Sequence, residues 1–227
     1  MKIRSKRYQE LKKLVEPGKL YSSDEALELV TKTANTKFDA SVEIHFTLGI
    51  DPKKQEQMVR GTVSLPYGTG QKKKIAVFAP EKKQKEAKDA GAYLVGGEEL
   101  IEEIKKTGKC DFDLALATPE MMKSLSKIAK ILGPKGLMPN PKNETITADP
   151  KKTIEELSKG KITFKSDEFG CLHQVIGKVS LEKEKLLANL KTFLEAVKKA
   201  KPSETKGIFI KNITICSSMG PGIRIKE

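Results

Sequence analysis

Tryptophan is absent from this 227-residue chain, and aromatic residues of all kinds make up 5% of it. Any core it builds must therefore be mainly aliphatic. Cysteine is nearly as scarce: Cys110, Cys171 and Cys216 are an odd number with no CxxC pair. That excludes a disulfide framework and a paired-cysteine zinc site, and it fits a reducing cytosol. Histidine occurs only at positions 45 and 173. Neither has the cysteine or acidic spacing of a metal site, so no metal and no cofactor is expected. Nowhere does the chain approach the roughly 18 apolar residues that a membrane span requires. The opening MKIRSKRYQELKKLV also lacks the apolar centre of a signal peptide. The expectation is a soluble cytoplasmic protein without a membrane partner. Arginine is rare too, at Arg4, Arg7, Arg60 and Arg224 alone.

What the chain has is lysine, which supplies 39 of its 43 basic residues and sets a net charge of +13. Such an excess attracts polyanions, because each neutralised phosphate releases condensed counterions. Lysine is a point charge without the planar fork that reads base edges. The basicity thus points to affinity for a phosphate backbone more than to a lysine-based sequence code, and a merely solubilising charge excess remains the alternative.

The hydrophobic pattern changes style twice. Ser22 and Glu25 have the spacing of a reciprocal helix cap, and Ala26, Leu27, Val30 and Ala34 form the apolar stripe that follows. Val42, Ile44, Phe46, Leu48 and Ile50 then alternate with polar residues or glycine, the period of a half-buried strand. Thr62, Val63 and Leu65 suggest another, stopped at Pro66. After Gly68-Thr69-Gly70, short apolar runs (Lys74 to Ala79, Ala92 to Val95, Phe112 to Ala117) alternate with helical segments, the last spanning Met121 to Leu132. This is the signature of a parallel sheet covered on both faces. Beyond Gly160 half-buried strands return around a helix with Leu186, Leu187, Leu190, Phe193, Leu194 and Val197 on one face, and Ile208, Ile210, Ile213 and Ile215 flank a phase shift near Lys211 and Asn212. The simplest architecture is α/β with two domains. The outer α+β domain comprises 1–66 and 160–227, and an α/β domain of residues 67–159 is inserted into it. The outer segments carry 25 basic and 16 acidic residues, so most of the positive excess belongs to them. Glycines near 68–70 and Gly160 are expected to act as hinges.

No catalytic constellation emerges. Gly68 to Lys72 imitates a phosphate loop, but the lysines lead into an apparent strand and no Ser or Thr follows for a metal. Gly91, Gly96 and Gly97 lack dinucleotide-loop spacing. Glu98, Glu99, Glu102 and Glu103 suit a solvated helix face. The expectation is a protein that is not an enzyme; rivals are a nucleotide-using enzyme on the inner domain and a generic duplex-DNA binder.

One segment is compositionally distinct: ILGPKGLMPNPK, residues 131–142, is too rich in proline and glycine for a helix or central strand and displays Leu137 and Met138. It resembles a signature of the ribosomal protein L1 family. So do KRYQELKKLV, YSSDEALELV, KFDASVEIHFTLGIDPKK, VRGTVSLPYGTGQ, GAYLVGGEELIEEI, FDLALATPEMM, FGCLHQVIGKVS and AKPSETKGIFIKNITICSSMGPGIRI, in that family's order and over essentially the whole chain. The resemblance implies an outer α+β sandwich and an inserted Rossmann-like three-layer domain. It implies a structural constituent of the large ribosomal subunit that binds large-subunit rRNA to form the mobile stalk, which takes part in releasing deacylated tRNA from the exit site. It also implies a translational repressor that binds its own operon mRNA, a monomer when free. By the same resemblance the RNA face comprises Lys37, Phe38, Ser41, Glu43, Lys165, Asp167, Gly170, His173, Asn212, Ser218, Met219 and Gly220. Lysines there suit phosphates, Phe38 and Met219 offer apolar faces, and the small polar residues suit 2′-hydroxyls. Phe38 has a competing reading as a core residue.

Overall fold

A computed structural model describes residues 5–226, other than 53, 55, 56, 72, 142, 143, 148, 204 and 206. Expectations that touch Arg4, Lys72 and Lys142 lie outside the described residues. The chain divides into two compact units, residues 1–71 with 160–227 and residues 72–159.

The first unit opens with α1 (Lys6–Lys13) and α2 (Ser23–Thr33), then β1 (Ser41–Leu48) and β2 (Arg60–Ser64). The second contains β3 (Ile75–Phe78), α3 (Glu81–Asp89), β4 (Leu94–Gly96), α4 (Glu98–Thr107), β5 (Leu114–Ala117), α5 (Met122–Leu125), α6 (Ala129–Leu132) and α7 (Pro150–Ser158). The chain returns to the first unit with β6 (Lys161–Lys165), β7 (Cys171–Lys178), α8 (Lys183–Lys199), β8 (Ile210–Ser217) and β9 (Ile223–Ile225).

Local chemistry accounts for the first elements. Ser22 accepts the Glu25 amide while the Glu25 carboxylate accepts the Ser22 amide, the reciprocal cap the sequence announces. The helix buries Ala26, Leu27, Val30 and Thr33, and it ends at Ala34, which turns away with ψ +60° instead of extending the stripe. In the four-stranded sheet, ordered β7-β1-β8-β9, β1 lies at the centre, antiparallel to both neighbours. Val42, Ile44, Phe46 and Leu48 face a core shared with α2 and α8, where Phe193 meets Phe46 and Phe164 at ring-centroid distances of 5.9 and 5.4 Å. Each such buried side chain contributes roughly 1.5–3 kcal/mol. Strands β2 and β6 form a separate antiparallel pair. The phase shift around Lys211 is a β-bulge: Thr47 opposes Asn212 but Leu48 opposes Ile210, which leaves Lys211 as the extra residue. Ile208 lies outside the strand and is exposed.

Within the α8 stripe sits a fully buried polar residue, Asn189. Its amide donates to the carbonyls of Gly68 and Ile176, both at 2.9 Å, and its oxygen accepts the Tyr67 amide at 3.2 Å. Together with the 3.4 Å contact between Gln71 and the Ser41 hydroxyl, these bonds hold residues 67–71 to the first unit. Gly160 has a φ of +106°, and a Cβ there would lie 2.4 Å from the Gly68 Cα, so the two chain passages cross too closely for any side chain.

In the second unit β3 lies between β4 and β5, parallel to both. Every residue of β3 is buried, because apolar clusters cover it on both faces. Gly68 to Gln71 lead towards this strand, not into a helix N-terminus. Residues 119–132 form successive short α- and 3-10 turns instead of one continuous helix. The Ser126 hydroxyl bonds back to the Lys123 carbonyl at 2.6 Å, a local bond that competes with regular helix. Leu137 and Met138, expected on display, instead pack partly buried against the cluster around Leu125, Ile128 and Leu132. A turn closed by bonds between Asn140 and Thr145 follows.

Candidate nucleic-acid interface

The four-stranded sheet buries one face and opens the other. On the open face, cross-strand partners line up in rows. Glu43 lies between Val175 and Cys216, and His45 between His173 and Thr214, with Arg224 beyond Thr214. Thr47 lies between Cys171 and Asn212. Glu43, His173 and Asn212 of the expected set therefore project from one surface.

Six more gather at the end of the sheet where β1 begins and β8 ends. The Ser41 amide donates to the Ser218 hydroxyl at 3.1 Å, and the Ser218 amide donates to the Ser41 carbonyl at 2.9 Å. The Ser218 hydroxyl also lies 3.5 Å from a Glu43 oxygen. Beside them Met219 is 70% exposed, and Phe38, on the loop preceding β1, is 55% exposed, which removes it from the core. Lys37 is exposed next to it. Met219 has a φ of +64°, a left-handed backbone that side chains rarely adopt. Gly220 follows so tightly that a Cβ there would meet the Ser217 hydroxyl at 2.3 Å.

Asp167 and Gly170 lie at the opposite end, in the turn that opens β7. One Asp167 oxygen accepts the amides of Phe169 and Cys171 at 2.9 and 2.6 Å, so this carboxylate shapes the turn before it meets any ligand. Gly170, at a φ of +74°, offers its carbonyl to the Leu48 amide. Lys165 is not part of the four-stranded sheet; it ends β6 opposite Arg60 and leads into this turn.

Sequence reading passed over several residues of this surface. Phe169 is 83% exposed beside Gly170, an aromatic offered to solvent. His45 Nδ1 and His173 Nδ1 are 2.9 Å apart, His45 Nε2 is 3.2 Å from the Cys216 sulfur, and His173 Nε2 is 3.7 Å from an Asp167 oxygen. With both rings neutral, one pattern suits the two closer contacts: His45 donates from Nδ1 to His173 Nδ1 and the thiol donates to His45 Nε2, which leaves the His173 Nε2 proton facing Asp167. Burial, joined by the charge of His173, pulls His45 below the ordinary histidine pKa, with Glu43 opposing. Burial, joined by Glu43, pushes the Cys216 thiol up to about 11. Glu43, His45 and Cys216 each bring one potential ligand atom within 4.8 Å of the others. Linear spacing hid this grouping, because Cys216 is 171 positions from His45.

Taken together, the surface offers hydroxyl, amide and imidazole groups across the open sheet face. Exposed apolar side chains stand at both ends, with lysine and arginine around them. That is the chemistry of a sugar–phosphate chain with unstacked bases. The profile of the ribosomal protein L1p/L10e family matches residues 30–221. The chain belongs to the ribosomal protein L1 family. The large ribosomal subunit protein uL1 of Mesoplasma florum is 50% identical over 222 residues, 98% of this chain and 97% of its own length. That of Mycoplasma capricolum is 49% identical over 222 residues, 98% of each chain. The family is one of ribosomal proteins, and the chain is not an enzyme. No described helix is long and apolar enough to cross a membrane.

Proposed function

We propose that this protein is a cytoplasmic constituent of the large ribosomal subunit and binds large-subunit rRNA through the open face of β7-β1-β8 and its two bounding turns. The observation that carries this reading is the exposure of Phe38 and Met219 on adjoining loops at one end of a polar sheet face. Two large apolar side chains left in water beside lysines cost hydration, and they gain it back against a ribose or an unstacked base. Glu43 suits a 2′-hydroxyl or a base amino group rather than a phosphate. His173 and Asn212 add neutral hydrogen-bonding groups that distinguish RNA from DNA. Asp167 acts by holding the Phe169 turn. Lys37 and Lys165 meet phosphates.

In this reading the first unit is an autonomous RNA-binding domain and the second a Rossmann-like insertion. The protein forms the mobile stalk that takes part in releasing deacylated tRNA. It binds its own operon mRNA on the same face that binds rRNA, and represses translation. Competition between one surface's two RNA ligands would link ribosome assembly to synthesis of the protein.

The test is excision. Residues 1–67 joined to 159–227 through a short Gly/Ser link retain the named residues and the β1-centred core. The Leu65 amide donates to the Gly160 carbonyl at 3.1 Å, so the two retained ends lie side by side and a short link can join them. This form should bind the rRNA segment within about tenfold of the full chain, roughly 1.4 kcal/mol, and bind duplex DNA far more weakly. Met219→Asp should abolish most of the affinity. Tight binding by residues 68–158 alone, or a silent Met219→Asp, would overturn the assignment of the RNA face.

A further inference from the structure

We propose that Arg7 is a positioning residue for RNA binding: its guanidinium braces the two loops that present Phe38 and Met219. This rests on the reading of the open sheet face as the RNA surface. Arg7 sits in the first turn of α1, which the Ser5 hydroxyl caps and Leu11 anchors in the interior. From there Nη2 donates to the Met219 carbonyl at 2.9 Å and Nη1 donates to the Asn35 carbonyl at 3.2 Å. Asn35 is on the loop that carries Phe38, and Met219 is the tip of the turn between β8 and β9.

The Met219 turn needs such a restraint, whereas the Phe38 loop is also tied by the Thr36 hydroxyl and by Asp39 to Ser180 and Lys178. Among the described residues only Glu144 and Met219 have positive φ without being glycine. The Met219 backbone is therefore held against its own preference, and a charge-assisted donor on its carbonyl opposes relaxation. The rest of the turn is secured by the Gly220 amide on the Ser217 carbonyl and the Ser218 amide on the Ser41 carbonyl. Neither bond reaches the Met219 carbonyl or the Phe38 loop. Arginine suits the task because one planar group directs two N–H bonds to two carbonyls at once, which an ammonium on a flexible stem does less well. With the brace in place before RNA arrives, binding does not have to order the two loops. Two of the five guanidinium N–H groups are engaged by main-chain oxygens, and the contribution proposed for them is geometric.

The full-length protein carrying Arg7→Met or Arg7→Lys is compared with the parent in two measurements. In the free protein, amide exchange of residues 218–220 should accelerate at least tenfold in Arg7→Met, with the thermal midpoint nearly unchanged. With a transcribed fragment of large-subunit rRNA that the parent binds, Arg7→Met should weaken affinity at least tenfold at every salt concentration. The slope of log affinity against log salt should stay the same, and Arg7→Lys should fall between. A slope reduced by about 0.7–0.9 would make Arg7 a phosphate contact instead. Unchanged exchange, or unchanged affinity, would overturn the brace. Should Arg7→Met fail to fold, Arg7→Lys answers through the same two measurements. Met219→Asp serves as a separate arm: if it is silent, the reading of the RNA face fails, while exchange in the free protein still reports on Arg7.

Discussion

Replacing Asn189 by leucine should unfold the first unit more easily even though the new side chain is apolar, of similar size and placed in an apolar stripe. The native amide serves three main-chain groups at 2.9, 2.9 and 3.2 Å. The bond to the Ile176 carbonyl is wholly buried, and an orphaned buried group costs about 1–3 kcal/mol. The groups on Tyr67 and Gly68 are partly buried and can recruit water, so their loss adds roughly 0.5–1 kcal/mol each. Leucine returns on the order of 1 kcal/mol of apolar burial. The expected net loss is about 2–3 kcal/mol. In urea unfolding followed by circular dichroism, the transition of the first unit should move to lower denaturant with an unchanged slope. Asn189→Asp should be worse, because a carboxylate would face two carbonyl oxygens without a proton to give. The Asp variant should recover partly at acidic pH, where a protonated carboxyl can donate once. The reasoning is refuted if Asn189→Leu is within about 0.5 kcal/mol of the parent, or if Asp is better tolerated than Leu at neutral pH.

Other consequences are equally direct. RNA affinity should fall steeply with salt, by a slope of about 0.7–0.9 per phosphate neutralised, and a flat dependence would remove the electrostatic part of the argument. The pKa of His45 lies below its usual 6.5, so the unfolded chain binds more protons in that window. Its contribution to stability is therefore complete above 6.5 and lost as pH falls through the folded value. Nuclear magnetic resonance titration should show this low midpoint, and His173→Gln should raise it by removing a nearby positive charge. With its thiol pushed up to about 11 against the ordinary 9.0, Cys216 should react with iodoacetamide about ten- to twentyfold more slowly than an unperturbed thiol near neutral pH, because the scarcer thiolate is individually more nucleophilic; peptide mass spectrometry reads the rate. Bound RNA should slow it further; equal rates with and without RNA would argue against coverage of this face.

Much of the fold was legible in short stretches of chain. The period-two alternation through Val42 to Leu48 specified β1 and the face it buries, and Ser22 with Glu25 marked the start of α2. The phase slip at Lys211 marked a bulge, and the unbroken apolar run IAVF marked a strand covered on both sides. These signals are local because strand and helix periods and caps act over a few residues. Apolar spacing suggests one helix over residues 121–132 for the same reason: it reports the buried side, while the break falls at Ser126, whose hydroxyl competes for the main chain. Tertiary structure alone decided which strands became neighbours. Strand order and register put Cys216 against His45, Ser218 against Ser41, and His173 between His45 and Asp167. It likewise turned Asn189 from a flaw in an apolar stripe into a clasp on residues 67 and 68. Arg7 reaches Met219 across 212 positions of sequence. Such contacts depend on how every strand of the sheet pairs, where a shift of one residue exchanges the two faces, and no local spacing carries that choice.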